Sequence, residues 1–387
     1  MDIDFISTED FKSLMDRTTE GRCVSIYLPT HRAGPETRQD PTRLKNLLSQ
    51  AHEQLVALHM RGTDAHKLLE PVSMLLEQNR FWAYLGNTLA VFISPGDFYH
   101  YRLPSQSDEL VVVANRYYLQ PLLPHISGEY RFFILALSQK KIRLLQCDPH
   151  RCEEVELPGI PGSLEEALHF APSEKHLLFY NLASTGRGPQ GISHGHGIGP
   201  EDNKNEIQKF FWRIDRGLAK ALSGEQAPLI IASVEYVRSI YRHANTYAHL
   251  LETGIEGNAD RLSDRELHEQ AWPIAQRFYA ERTHKDLDRF RVISGRNPER
   301  ISTDAEKIAL SAYEGRVDLL FADEMVRRWG IVKPAENKVH FHETQKPGDQ
   351  EIVNFAIINT LQRNGTVRLI KREQMPHAGP MVAVYRY

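Results

Sequence analysis

The sequence predicts an α/β protein of three domains, and three observations carry that reading. Short β-rich runs alternate with longer segments whose apolar residues recur every three or four positions, so strands and amphipathic helices follow one another along the chain. The 387 residues exceed one ordinary domain of roughly 100–200 residues. Near Pro124 and near Leu262 turn residues are followed by a fresh start of the pattern. The expected domains are therefore 1–125, 126–262 with a long glycine-rich loop at 184–203, and 263–387.

The first segment reads strand, loop, helix. Cys23–Leu28 is β-rich and ends at Pro29. Pro41 opens a helix in which Leu44, Leu47, Leu48, Ala51, Leu55 and Leu58 share a face. A second helix is expected around Ala65–Asn79, with Leu68, Leu69, Val72, Leu75 and Leu76 aligned. Strands Thr88–Ser94 and Phe98–Leu103 flank the turn Pro95-Gly96.

The middle segment opens on strands Tyr130–Ser138 and Lys141–Cys147, then Val155–Leu157, a short helix Leu164–Phe170 and the strand Leu177–Leu182. Beyond Pro200 a strong amphipathic helix carries Ile207, Phe210, Phe211, Ile214, Leu218 and Leu222 on one side. Leu229–Ser233 and a shorter helix past Val237 complete it. The last segment starts with a long helix, about Asp264–Arg289, announced by Ser263 and, three residues later, Glu266. Helices Asp304–Glu314 and Gln350–Asn364 and strands Val317–Ala322, Thr366–Ile370 and Met381–Tyr385 follow as a βαβ-like sandwich.

Composition excludes several classes. With 41% hydrophobic and 25% charged residues the chain is neither collagen-like nor wholly disordered. No apolar run approaches the roughly 20 residues that span a bilayer, and the acidic start MDIDFISTEDF lacks the pattern of a signal peptide. A cytoplasmic protein with no membrane partner is the plain expectation. Three cysteines (Cys23, Cys147, Cys152) cannot build a disulfide framework and fit a reducing compartment. The net charge of −3 argues against a generally basic nucleic-acid binder. It is unevenly spread, however: residues 1–125 carry −3, 126–270 carry −4, and 271–387, with nineteen basic and fifteen acidic side chains, carry +4.

The most unusual stretch is STGRGPQGISHGHGIGPEDN, Ser184 to Asn203. It holds too little apolar surface to fix itself, which predicts a mobile loop. Gly186, Gly188 and Gly191 match GxGxxG, but Ile192–Gly199 separates them from the next helix, so the helix dipole cannot face a pyrophosphate there. No Walker lysine is present. His194 and His196 are candidate metal ligands, unaccompanied by HExxH or CxxC. The pairs His340/His342 and His243/His249 read as scattered surface histidines. No GxSxG elbow occurs, and the strands of the middle segment carry no interior carboxylates for two-metal chemistry. No cofactor is expected. Any chemistry would lie in Gly186–Gly191, where glycines allow close main-chain approach, Arg187 offers a charge for phosphate and Gln190 a two-sided amide. Such a loop suits insertion into a narrow, RNA-lined site.

GRGPQG at Gly186–Gly191, followed by an amphipathic helix, resembles the GRGGQ loop of the archaeal and eukaryotic class-one translation release factors. The likeness extends along the chain. Val24–Pro29 with the helix Thr42–Leu58 is similar to their first domain, and Leu229–Tyr241 and Leu250–Ala271 to their central domain. Gly315–Glu324, Asn359–Ile370 and Gly379–Tyr387 resemble their third domain, which Pelota-type rescue factors share and which is related to kink-turn-binding ribosomal proteins. The overall look is nearest to bacterial homologues of the archaeo-eukaryotic release factors.

The resemblance implies a ribosome-associated factor of rescue, quality control or hibernation, with a translational GTPase as a candidate partner. It implies that Gly186, Arg187, Gly188, Pro189, Gln190 and Gly191 face the peptidyl-transferase centre, with Gly188 and Gln190 the candidates for peptidyl-tRNA hydrolysis. Arg38, Arg43 and Lys45 are candidate rRNA contacts of the first domain. Two departures stand out. Pro189 occupies the place of the second glycine, fixing φ near −65° and deleting a donor. Thr37-Arg38-Gln39-Asp40 stands where those factors carry the stop-codon-reading Asn-Ile-Lys-Ser, so stop-codon reading is not expected. A metal-dependent hydrolase using His194 and His196 is the competing expectation.

Overall fold

The computed structural model describes residue 6 and residues 8–31, 34–82, 85–126, 130–138, 141–157 and 200–387. Mixed sheets and helices make it an α/β protein. Helix α1 (Thr8–Asp16) precedes β1 (Thr18–Pro29), after which α2 (Asp40–Ala57) and α3 (Gly62–Leu75) lead to β2 (Thr88–Ser94), β3 (Asp97–Leu103) and β4 (Leu110–Arg116). These strands form an antiparallel sheet in the order β3-β2-β1-β4. Strand β1 begins five residues before the expected Cys23, and its pairing with β4 carries a register shift between Thr18 and Cys23. Leu110–Ala114, an apolar run by sequence, is the body of β4.

Strands β5 (Phe132–Leu137), β6 (Ile142–Cys147) and β7 (Cys152–Val155) follow. Then come α4 (Pro200–Ala221), β8 (Leu229–Ser233), α5 (Glu235–Ala244) and β9 (Ile255–Glu256). The sheet order is β7-β6-β5-β8-β9, with β5–β8 and β8–β9 parallel and the hairpins antiparallel. The expected strand Val155–Leu157 starts earlier because Cys152 pairs with Cys147 across the β6–β7 hairpin. The same register joins the two cysteines in a disulfide, five residues apart, while Cys23 is a buried thiol outside that link. Spacing rules for metal sites and frameworks do not reveal such a cross-hairpin pair, which depends on which residues face each other.

Helix α6 (Asp264–Arg296) runs seven residues past the expected end, to the breaker Asn297-Pro298. Its start is the anticipated capping box. Ser263 donates from its N–H and its hydroxyl to Glu266 Oε2 at 2.9 and 2.7 Å, and the Glu266 N–H returns to Ser263 Oγ at 3.3 Å. Beyond it lie β10 (Ile301–Ser302), α7 (Ala305–Tyr313), β11 (Val317–Asp323), β12 (Trp329–Lys333), β13 (Lys338–His342), β14 (Gln350–Glu351), α8 (Ile352–Gln362), β15 (Thr366–Ile370) and β16 (Met381–Tyr385). Sheet β10-β16-β11-β15 contains the parallel pair β11–β15, crossed over by α8, and β13-β12-β14 form a small antiparallel sheet. Both shorter helices are capped by carboxylates: Asp304 accepts from Glu306 and Lys307, and Glu351 from Val353 and Asn354.

The contacts divide the chain into two units, one made of residues 1–127 with 282–387, the other of 128–281. In the first unit, α2 and α3 cover one face of the β1–β4 sheet through Leu44, Leu47, Leu55, Leu69 and Val72 against Val24, Ile26, Val91 and Val113. The opposite face, with Tyr27, Phe92 and Val112, shares a single core with Ile308, Ile352, Phe355 and Ile358 of α7 and α8. Segments from opposite ends of the sequence thus bury one another. In the second unit, Phe210, Phe211, Ile214 and Leu218 of α4 pack on one sheet face with Leu135 and Ile231. Leu267, Ala271 and Ala275 of α6 cover the other face, over Ile134 and Ile230. The last turns of α6 contribute Leu287 and Phe290 to the core of the first unit.

Candidate functional site

Residues Gly186, Arg187, Gly188, Pro189, Gln190 and Gly191, the histidines His194 and His196, and the expected helix Leu164–Phe170 and strand Leu177–Leu182 all lie outside the described residues. What the structure describes is the scaffold on which they are strung. The segment leaves the sheet after β7 and rejoins described chain at Pro200, the first residue of α4. That helix is anchored by Phe210, Phe211 and Ile214, each buried to within 4% of full exclusion. Full burial of such side chains contributes about 1.5–3 kcal/mol each. Asp215, on the same helix and 5% exposed, accepts from the Thr246 N–H at 2.9 Å and its hydroxyl at 2.7 Å. These bonds tie α4 to the chain beyond α5. Burial, with the Asp215 charge nearby as a smaller cause, pushes the Tyr241 phenol far above its ordinary range, so it stays neutral against Phe211.

The candidate rRNA contacts of the first unit cluster at the start of α2 but differ in availability. Arg43 is committed to the fold. It donates to Pro29 O at 2.7 Å and Asp40 Oδ1 at 3.1 Å, and through Nε and a terminal nitrogen to Glu109 Oε2 at 3.0 and 2.7 Å. Asp40, almost fully buried, also accepts from the His31 N–H at 2.9 Å and faces His31 Nδ1 at 3.0 Å. Two carboxylates therefore surround the Arg43 guanidinium. Arg38, on the turn Pro35–Arg38, and Lys45 on α2 are exposed and have no ion-pair partner among the described residues. The three fall within eight positions around the start of α2, but Arg43 and Lys45, two apart on that helix, do not share a face.

One member of each other histidine pair is engaged within the fold. His342 Nδ1 faces both Asp349 oxygens, at 2.8 and 2.9 Å, and His243 Nδ1 faces Ser239 O at 2.8 Å. Among the described residues no three His, Cys, Asp or Glu side chains converge as a metal site. Arg22, Arg61 and Lys67, which no sequence motif marks, line one cleft of the first unit. They span 46 positions without any motif spacing, and only the fold, which sets β1 beside the α2–α3 turn and the start of α3, brings them to one cleft.

Residues 131–316 match the family model described as bacterial archaeo-eukaryotic release factor family 3. Solved structures with a similar course include a ribosome-bound archaeal Pelota with ABCE1, at 11% identity over 100% of this chain and 95% of that one, with a TM-score of 0.42. Another is Dom34 of S. cerevisiae, a translation termination-like factor involved in RNA quality control pathways and interacting with Hbs1 (7% identity, 99% and 92% covered, TM-score 0.40). The archaeal translation termination factor aRF1 aligns at 10% identity over 99% of both chains, with a TM-score of 0.24. No curated protein matches.

Proposed function

We propose that the protein is a ribosome-associated translation factor, acting in rescue, quality control or hibernation, that presents residues 186–191 to the peptidyl-transferase centre. The observation that supports this most is the release-factor family match over 131–316, which brackets GRGPQG and includes α4 and the sheet it packs on. On this reading the first unit docks near the decoding centre through Arg38 and Lys45, while Arg43 shapes that surface from within its carboxylate cage. The +4 charge of residues 271–387 favours contact with rRNA. A translational GTPase is the proposed delivery partner, by analogy with the Hbs1 named for Dom34. The cytoplasm is the proposed location, and no described helix is long and apolar enough to cross a membrane.

Pro189 makes binding without ester hydrolysis the primary reading, because a fixed φ and a missing N–H alter the backbone that would otherwise approach the ester. The stop codon is not read, since Thr37-Arg38-Gln39-Asp40 lacks the decoding tetrapeptide. The test pairs ribosome co-sedimentation with a peptidyl-tRNA release assay. Pelleting with ribosomes and no release supports the binding reading. Release that vanishes in Gln190→Ala and Gly188→Ala would instead make the protein a peptidyl-tRNA hydrolase. A stoichiometric metal in the purified chain, lost in His194→Ala with His196→Ala, would point to metal-dependent hydrolysis.

A further inference from the structure

A cleft of about 760 Å3 opens in the first unit between the α2–α3 turn, the start of α3 and the β2–β3 hairpin. Small-ligand sites span roughly 300–1,000 Å3, so a compact organic ligand fits. The lining is of two kinds. Met60, Leu68, Pro71 and Phe98 supply a partly buried apolar surface, with Phe98 stacked on His100 at 5.5 Å between ring centroids. Arg22, Arg61 and Lys67 supply exposed positive charge, and none of the three has an ion-pair partner among the described residues. Of the two acidic side chains, Asp97 is held by Arg17 at 2.6 Å and accepts from Ser94 Oγ at 3.2 Å, which leaves Asp64 as the available carboxylate. Side-chain capping is absent from the first turn of α3.

A second observation marks the same wall. Helix α2 ends with the His59 N–H bonded to Val56 O at 2.9 Å and the Met60 N–H to Leu55 O at 3.1 Å. In that closing motif the left-handed residue is usually glycine. Here it is His59, at φ 64°, a conformation that disfavours side chains. A side chain kept at such a cost, in the lining of a cleft, points to use of the imidazole there.

We propose that this cleft binds a nucleotide. Arg22, Arg61 and Lys67 hold the phosphates, Arg through its planar fork and Lys as a point charge. The base lies against Met60, Leu68 and Phe98, where aromatic and apolar surface suits a π-face. Asp64 accepts from a ribose hydroxyl or an exocyclic amine. Inorganic phosphate would leave the apolar part unused, and an acidic peptide would set its carboxylates against Asp64. The described lining forms no glycine-rich phosphate loop, and the proposal does not rest on ribosome binding.

Titration calorimetry of the full chain with ATP, AMP, inorganic phosphate and a 5′-phosphorylated hexanucleotide RNA tests it. Saturable binding of ATP is expected, with AMP weaker and inorganic phosphate weaker again. The exposed pair Arg61→Ala with Lys67→Ala, with folding verified by circular dichroism, should weaken ATP by at least about tenfold, as loss of two charge-assisted contacts requires. His59→Gly should weaken it as well. No saturable heat from ATP or AMP up to about 5 mM, where even millimolar affinity would register, would overturn the proposal. Equal affinity for inorganic phosphate, unchanged affinity in the double variant, or binding of the hexanucleotide without either mononucleotide would also overturn it, the last in favour of an RNA surface.

Discussion

Asn354→Ala should loosen the union of the two ends of the chain. Asn354 sits in the first turn of α8, 6% exposed. Its Oδ1 accepts from the Leu119 and Gln120 N–H groups at 2.8 and 3.0 Å, and its Nδ2 donates to Tyr117 O at 3.2 Å. These partners are themselves buried, at 1 to 3% exposure. Alanine would strand two donors and one acceptor beside a void of only about 10 Å3, at the lower limit for holding a water. Three net hydrogen bonds at about 1 kcal/mol each give a loss of about 3 kcal/mol, more if no water enters the vacated space. Asn354→Leu, which fills that space and keeps water out, should cost more. Hydrogen–deuterium exchange read by mass spectrometry is the assay. A loss of about 3 kcal/mol corresponds to exchange roughly 10²-fold faster in peptides covering 111–122 and 352–362, where opening sets the rate. Peptides covering 229–244, in the other unit, should be unchanged. Unaltered protection across 111–122 would refute the reasoning that one amide joins these segments.

Two further outcomes follow from buried or strained groups. Burial raises the Glu351 carboxyl to about 7, against the opposing pull of N–H groups from Arg328, Asn354 and Val353. Between its ordinary value of 4.5 and about 7, the folded chain therefore holds a proton that the unfolded chain releases. This contribution to stability is fully present below the ordinary value and is lost as pH rises through 7, a change of about 3 kcal/mol. Glu351→Gln, which puts an amide nitrogen that cannot accept where one of the two accepting oxygens stands, should be less stable than the wild type in acid, with the gap narrowing by pH 8. Urea midpoints from pH 5 to 8 measure this, and a gap constant with pH would contradict it. His59→Gly should raise the melting temperature of the first unit by about 2–4 °C, because relief of a left-handed side chain is worth about 1 kcal/mol. A fall in melting temperature would show that His59 packs to structural advantage.

Strand and helix periodicity made most individual elements legible. The leucine ladder of α2 and the Phe210/Phe211/Ile214/Leu218 stripe are the residues found buried in their cores. The Ser263/Glu266 box was legible because its partners are three residues apart. Pairings across long sequence separation were not. Nothing local in Asn354 reveals that it serves the backbone of 117–120, since a buried asparagine and a surface one look alike in sequence. Likewise the Cys147–Cys152 link needed the β6–β7 register, and the ion pairing of Arg43 needed Glu109, 66 positions away. At the candidate site the reverse holds. GRGPQG is conspicuous in sequence because glycine, arginine and glutamine chemistry is written in the residues themselves, whereas the cleft of Arg22, Arg61 and Lys67 exists only through the fold.

The central proposal is that this α/β chain works on the ribosome with residues 186–191 at the peptidyl-transferase centre. Electron cryomicroscopy of ribosomes pelleted with the protein at low salt tests it most directly. The account predicts density for residues 128–281 in the tRNA site, with the 186–191 segment reaching the peptidyl-transferase centre and Arg38 and Lys45 against rRNA. Failure to pellet with ribosomes from both growing and starved cells, or density that places 186–191 away from that centre, would contradict it.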